Sequence, residues 1–225
     1  MTKSSLRIRK HQFVRDAIFD AAIELFEMKG FDETTVEEVA QAAGVSRASF
    51  FRYFSSKDDL LAQNVIKYGD ALTSAIKASP PSFSPLEIMR ETVLAVAKET
   101  ANSPYTRRVI DISLRSGAAA QAHMSRMREV EGSVATAFAE RIGSSSKDEI
   151  EPRLLAIMTL SAMNVAVMTW HRGDSQELSA AVEQVFSRLT RIVCSQKSSK
   201  GNWRETQGGN EKFTIVKKTA TKRLT

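Results

Sequence analysis

Four short stretches of this chain carry the chemistry of a helix start. Thr35-Val-Glu-Glu38 has the spacing of a capping box, and Ser46 stands where it can cap the run 47–53. Ser56-Lys-Asp-Asp59 opens a third helix. Ser84-Pro-Leu-Glu87 combines an N-cap, a proline at the first helical position and a glutamate two residues further on. Behind these caps the apolar residues recur at helical spacing. In 13–28, Ile18, Ala22, Leu25 and Phe26 share one face, and Gly30 follows as a stop. Near the end, Leu178, Val182, Val185, Phe186, Leu189, Ile192 and Val193 do the same. Strand signals are weak throughout, so the fold class expected is all-α.

The punctuation divides the chain further. One helix is expected from the Ser56 cap to about Ser79, followed by the loop SPPSFSP (79–85). Helices then start at Ser84 and at Ser103-Pro104, the latter ending near Gly117. A long, more polar helix over 118–142 is stopped by Gly143, and SSSKD forms a loop. The helix 148–172 is stopped by Gly173. Asp174 or Ser175 caps the last helix, which runs to about Ser195. From Gln196 the chain is rich in Lys, Ser, Gly, Thr and Asn, too poor in apolar residues to fold alone.

Charge follows this division. The stretch from Gln196 holds eight Lys or Arg and two Glu, a surplus of six that equals the +6 of the whole chain. Residues 1–195 are therefore neutral overall, and the basic pI alone argues poorly for nucleic acid. A second basic group, Lys3, Arg7, Arg9 and Lys10, marks the N-terminus. The single cysteine, Cys194, excludes an intrachain disulfide and a cysteine-based zinc site. No apolar core of a signal peptide interrupts Lys3 to Arg15. The run LLAIMTLSAMNVAVMTW (154–170) falls short of the roughly 20 residues of a membrane span and contains Thr159, Ser161, Asn164 and Thr169, so it reads as a buried bundle helix.

The segment Thr35 to Phe54 is the most specific. It reads as helix, four-residue turn with Gly44, helix, which is a helix-turn-helix. Val39, Ala40 and Ala43 can face Val45, Phe50 and Phe54 in a small shared core. The second helix then presents Arg47, Ala48 and Ser49 at its start. Arginine can bond guanine O6 and N7 together, and an alanine methyl can touch thymine. Arg52 lies on the exposed side with Ala48. The alternative for GVSRASFFRYF is a core helix with solvated arginines; the capped helix before it and SSKDDLL after it favour the reading helix.

The block ETTVEEVAQAAGVSRASFFRYFSSKDDLL resembles the N-terminal DNA-binding domain of the tetracycline-repressor (TetR) family over residues 13–61. The resemblance implies that Thr35 contacts phosphate at a helix N-terminus, that Ser46 caps the reading helix, that Arg47, Ala48 and Ser49 face bases, and that Tyr53 and Lys57 contact phosphates. Position 51, usually a tyrosine whose hydroxyl binds phosphate, is Phe51 here, and Arg52 can compensate electrostatically. It further implies a homodimer formed by the last two helices, 148–172 and 175–195, which are more apolar than one chain's core requires. Two reading helices about 34 Å apart would read a palindrome of operator DNA. A bacterial, cytoplasmic, nucleoid-associated location follows from the same resemblance.

The architecture expected is thus a three-helix helix-turn-helix domain followed by a larger helical ligand-binding and dimerisation bundle. The domains are a basic arm (1–12), the DNA-binding domain (13–61), an effector-binding and dimerisation domain (62–195) and a basic tail (196–225). Met89, Met124, Met127, Met158, Met163, Trp170 and His171 are the candidate effector lining, because methionines adapt to irregular apolar ligands; ordinary core filling is the simpler account of each. Arg107 and Arg108 could hold an anionic head, which points to an amphiphilic, acyl-type effector. No GxSxG, P-loop or GxGxxG is present, and His11, His123 and His171 lack metal-binding spacing, so no enzyme, cofactor or metal is expected. The function expected is a repressor released by a small molecule. An effector-blind DNA-binding regulator and a helical protein–protein module without operator binding remain the alternatives.

Overall fold

The computed structural model describes residues 3–144 and 149–194, and among them every regular element is a helix. The basic tail and most of the SSSKD loop lie outside the described residues. The ten helices are α1 Lys3–Lys29, α2 Val36–Ala42, α3 Arg47–Tyr53, α4 Lys57–Leu61, α5 Gln63–Ala78, α6 Pro85–Asn102, α7 Thr106–Arg115, α8 Gly117–Ile142, α9 Ile150–His171 and α10 Leu178–Cys194.

The caps form as their chemistry requires. The Thr35 hydroxyl accepts from the Glu38 N–H while the Glu38 carboxylate accepts from the Thr35 N–H, and Ser84 and Glu87 repeat the box at α6. Ser46 and Ser56 cap α3 and α4. Other expectations shift. Helix α1 runs unbroken from Lys3 with no glycine or proline to stop it, so it starts well before the 13–28 expected from periodicity. The helix expected from Ser56 to Ser79 divides at Ala62. Leu60 and Leu61 belong to one buried cluster and Val65 to the other, so the chain turns where it changes cores. The helix placed at Ser103-Pro104 begins instead at Thr106. Neither Asp174 nor Ser175 caps α10: the Ser175 hydroxyl donates to the Glu177 carbonyl, and the helix opens at Leu178.

Two cores result. The smaller gathers Ile18, Ile23 and Phe26 of α1, Phe31, Val39 and Ala40, Phe50 and Phe54, and Leu60 and Leu61. It also takes Val109 and Ile112 from α7 and Ala119 from α8. The larger is built from α5, α6, α8, α9 and α10. Helix α9 has the length and hydropathy of a membrane span, yet Leu155, Ala156, Thr159, Met163, Ala166 and Trp170 are buried against its neighbours. That arrangement is the core helix of a bundle.

Candidate nucleic-acid interface

The reading helix is positioned from both ends. Gly44 adopts φ +65, a conformation glycine enters without steric cost. This lets Val45 N–H reach Ala40 O and Gly44 N–H reach Gln41 O, the paired bonds that close a helix C-terminus. Just beyond the turn, Ser46 accepts from the Ser49 N–H at 3.1 Å and starts α3. The inner face is sealed by Phe50 and Phe54, both fully buried, with ring centroids 5.8 Å apart. What remains outward is Arg47, Ala48, Phe51 and Arg52, with Ser49 half-buried.

Each outward group has a light restraint. The Arg47 guanidinium pairs with Glu37 at 2.8 Å and lies 5.5 Å from the Phe51 ring centroid, with its side chain 67% exposed. Such an exposed pair is worth about 0–1 kcal/mol, so releasing it to a guanine costs little. The Ser49 hydroxyl accepts from the Ser46 hydroxyl and from Arg52, which leaves its own proton to donate. Phe51 is 45% exposed and packs its edge on Phe50, so the missing hydroxyl leaves an apolar surface beside Arg47. Tyr53 is half-buried, with the Arg52 guanidinium over its ring and His11 of α1 against it at a tilt, the ring centroids 4.5 Å apart. That contact brings the exposed Arg9 and Lys10 of the helical extension beside the end of α3. A ring pair 42 residues apart carries no local signal, and the sequence reading did not find it.

Thr35 and Lys57 are engaged more firmly. The Thr35 hydroxyl donates to Glu38 at 2.8 Å while accepting from its N–H. Lys29 reinforces the box through Glu38 at 2.5 Å, and that hydrogen bond, with those from Thr35, lowers the Glu38 carboxyl to about 2. Lys57 donates to three carbonyls, Phe31 at 2.7 Å, Asp32 at 3.0 Å and Thr34 at 3.2 Å, and its ammonium sits 4.6 Å from the Phe31 ring. All three of its donors hold the α1–α2 turn in the DNA-free chain, so a phosphate would have to take one from that turn.

The sensor candidates scatter. Met89, Met163 and Trp170 are buried, Met127 and Met158 are partly buried against the same core, and Met124 is 58% exposed. His171 Nε2 lies 3.2 Å from Asp111, and the Arg107 guanidinium lies 3.7 Å over the Trp170 ring. Arg108 grips Glu27 through two bonds, 2.8 and 2.6 Å, which holds the Glu27 carboxyl below the usual carboxylate range. Both arginines offered for an anionic head are thus committed within the chain. A cleft of about 480 Å³ lies between the α1–α2 turn and α7, and one of about 550 Å³ between the α5–α6 loop and the ends of α8 and α9. None of the seven candidates lines either cleft.

Residues 18–63 match the family of bacterial regulatory proteins of the tetR type, and residues 83–193 match the MftR C-terminal domain. The transcriptional regulator TcmR of Streptomyces glaucescens is 28% identical over 194 residues, spanning 82% of this chain and 86% of that protein. MftR of Mycobacterium tuberculosis is 29% identical over 179 residues, spanning 75% and 85%. Among solved structures, the regulator FadR of Bacillus subtilis, in complex with stearoyl-CoA, superposes with a TM-score of 0.55 at 22% identity, covering 77% of this chain and 96% of that one. With the head and the sensor bundle each matched in order along one polypeptide, the chain belongs to the TetR family of bacterial regulators.

Proposed function

We propose that this chain is a homodimeric transcriptional repressor, a DNA-binding protein and not an enzyme, released from its operator by a small-molecule effector. The observation that carries the reading is the start of α3: Arg47, Ala48 and Ser49 stand exposed or half-exposed on a helix whose opposite face is locked by Phe50 and Phe54. Arg47, Ala48 and Ser49 read base edges in the major groove, while Arg52, Tyr53, Thr35 and Lys57 serve the phosphates. Residues 13–61 form the reading head and 62–195 the effector and dimerisation unit. Residues 1–12 and 196–225 add sequence-independent phosphate contacts.

Two copies pair through α9 and α10. Leu154, Ile157 and Val165 expose an apolar stripe along α9, and Ile192 adds to it from α10. A stripe of this kind marks an interface. An amphiphilic effector fits the adaptable methionines of the sensor core, and the acyl-CoA in the FadR complex supports that chemistry. The protein works in the cytoplasm on the nucleoid. Replacing Arg47 with alanine should cost about 1–3 kcal/mol of operator affinity and relax preference at one base pair per half-site. Unchanged affinity and preference in a titration against operator variants would sink the base-reading assignment.

A second reading, an effector-blind regulator, draws on one observation: Met89 and Met163 are fully packed and line neither cleft. A thermal-shift screen without a single stabilising ligand would favour it.

A further inference from the structure

The cleft between the α1–α2 turn and α7 has the size of a small-molecule site, about 480 Å³ against the roughly 300–1,000 Å³ usual for such sites. Its floor is apolar and aromatic: Phe26, Phe31 and Ile112, each almost wholly buried, with the two rings set edge to face at 4.8 Å. Its rim is acidic. Glu27 is neutralised by the two-point grip of Arg108, and Asp111 faces His171 Nε2. Asp32 and Glu33, both exposed, have no side-chain partner among the described residues, and Arg115 is the one cation in the lining. Asp32 and Glu33 outnumber Arg115, so the surplus charge at the mouth is negative.

The same turn already receives an ammonium. Lys57, which does not line the cleft, places its Nζ against the carbonyls of Phe31, Asp32 and Thr34 and near the Phe31 ring. Lys57 fills those three carbonyls, so the Asp32 and Glu33 carboxylates are the acceptors left at the turn for a second cation. We propose that this cleft is a ligand site separate from the sensor core, and that it takes a small amphipathic amine. The protonated nitrogen sits at the Asp32–Glu33 rim, and a short apolar body lies over Phe26, Phe31 and Ile112. Carboxylate-bearing molecules are repelled by the same rim.

One wall of the cleft is the turn that leads into Thr35 and α2, and the other is α7. An occupant that fits one spacing of these walls better than another shifts the head relative to the bundle by that difference in affinity, and no more.

The test is isothermal titration of the full-length, DNA-free protein with n-hexylammonium, n-hexanol and hexanoate as probes. Hexylammonium should bind about tenfold or more tightly than either of the others. The variant Asp32→Asn/Glu33→Gln, confined to exposed side chains, should weaken it by about five- to tenfold, the scale of two exposed charge contacts. Ile112→Trp, which fills the floor, should abolish it. Equal binding of hexanoate, no binding of any probe, or an unaltered affinity in the Asp32/Glu33 variant overturns the proposal. No DNA enters the measurement, so its failure is separate from failure of the operator reading.

Discussion

Gly69, buried in the middle of α5, offers the sharpest perturbation of the sensor bundle. A Cβ at this position would stand 2.7 Å from Val130 Cγ2, 3.1 Å from Cγ1 and 3.4 Å from Cβ, all on one side chain of α8. Val130 is itself buried, and a valine in a helix holds one rotamer about nine times in ten, so rotation offers no cheap relief. Two terms oppose one another in Gly69→Ala. Alanine at a free helical site gains about 1 kcal/mol over glycine. Overpacking a core contact costs about 1–3 kcal/mol. The expected outcome is a protein unchanged or less stable by up to about 2 kcal/mol, instead of one about 1 kcal/mol more stable. Val130→Ala alone removes two methyl groups and should cost about 2 kcal/mol. When the two substitutions are combined, the methyl introduced on α5 enters the space that Val130 leaves. The double variant should therefore be more stable than the sum of the singles by about 1–3 kcal/mol. Urea unfolding at fixed protein concentration reads this as shifts in midpoint at constant slope. A Gly69→Ala variant that gains the full 1 kcal/mol or so, or a cycle additive within about 0.5 kcal/mol, would refute a close α5–α8 crossing.

Four further outcomes follow from other contacts. Lys57→Met leaves three carbonyls without their ammonium and should lower DNA-free stability by about 1–2 kcal/mol in urea; unaltered stability would mean that Lys57 serves phosphate alone. Glu38 has a folded value of about 2 against an ordinary 4.5, so its contribution is whole above pH 4.5 and is lost as pH falls from there toward 2. Glu38→Gln should remove that part of the acid sensitivity, and an ordinary NMR titration midpoint for Glu38 would contradict the capping geometry. Burial lowers the His123 imidazole below 6.5, and Nδ1 has no hydrogen-bond partner among the described residues; its folded value being the lower, stability should decline as pH drops below 6.5, and His123→Gln should flatten that slope in thermal melts. Ile157→Glu, on the exposed stripe of α9, should shift sedimentation from dimer toward monomer without altering helix content, whereas an intact dimer would place the interface elsewhere.

What the sequence revealed and what it concealed divide by range. A cap is settled within three residues, so Thr35–Glu38, Ser46, Ser56 and Ser84–Glu87 were legible at once. The same holds for Phe50 and Phe54, whose i, i+4 spacing forces them to one side. Where a helix ends or bends is decided by what it meets. Ala62 has nothing in its own chemistry to divide a helix; the division comes from Leu61 and Val65 entering different cores. Lys57 was expected at a DNA phosphate, and its three acceptors within the chain lie 23 to 26 residues away, beyond any local signal. Met124 and Met89 are alike in type, and only the packing of α6 and α8 buries one and exposes the other.

Helix α7 shows how far a boundary in the chain departs from one in the packing. Its Val109 and Ile112 complete the core of the reading head, Arg108 grips Glu27, and the Tyr105 hydroxyl donates to Asp20 of α1. From α7 as well, Arg107 covers Trp170 and Asp111 meets His171 at the C-terminal end of α9. A head cut off after Leu61 would lack these side chains of its own core. A helix about 15 Å long is rigid over its length. It cannot follow a displacement of α9 and keep its contacts to α1 unless α1 moves as well. Helix α9 also carries the exposed stripe assigned to the dimer. A displacement of α9 that keeps Arg107 on Trp170 and Asp111 on His171 is therefore passed through α7 to Glu27 of α1.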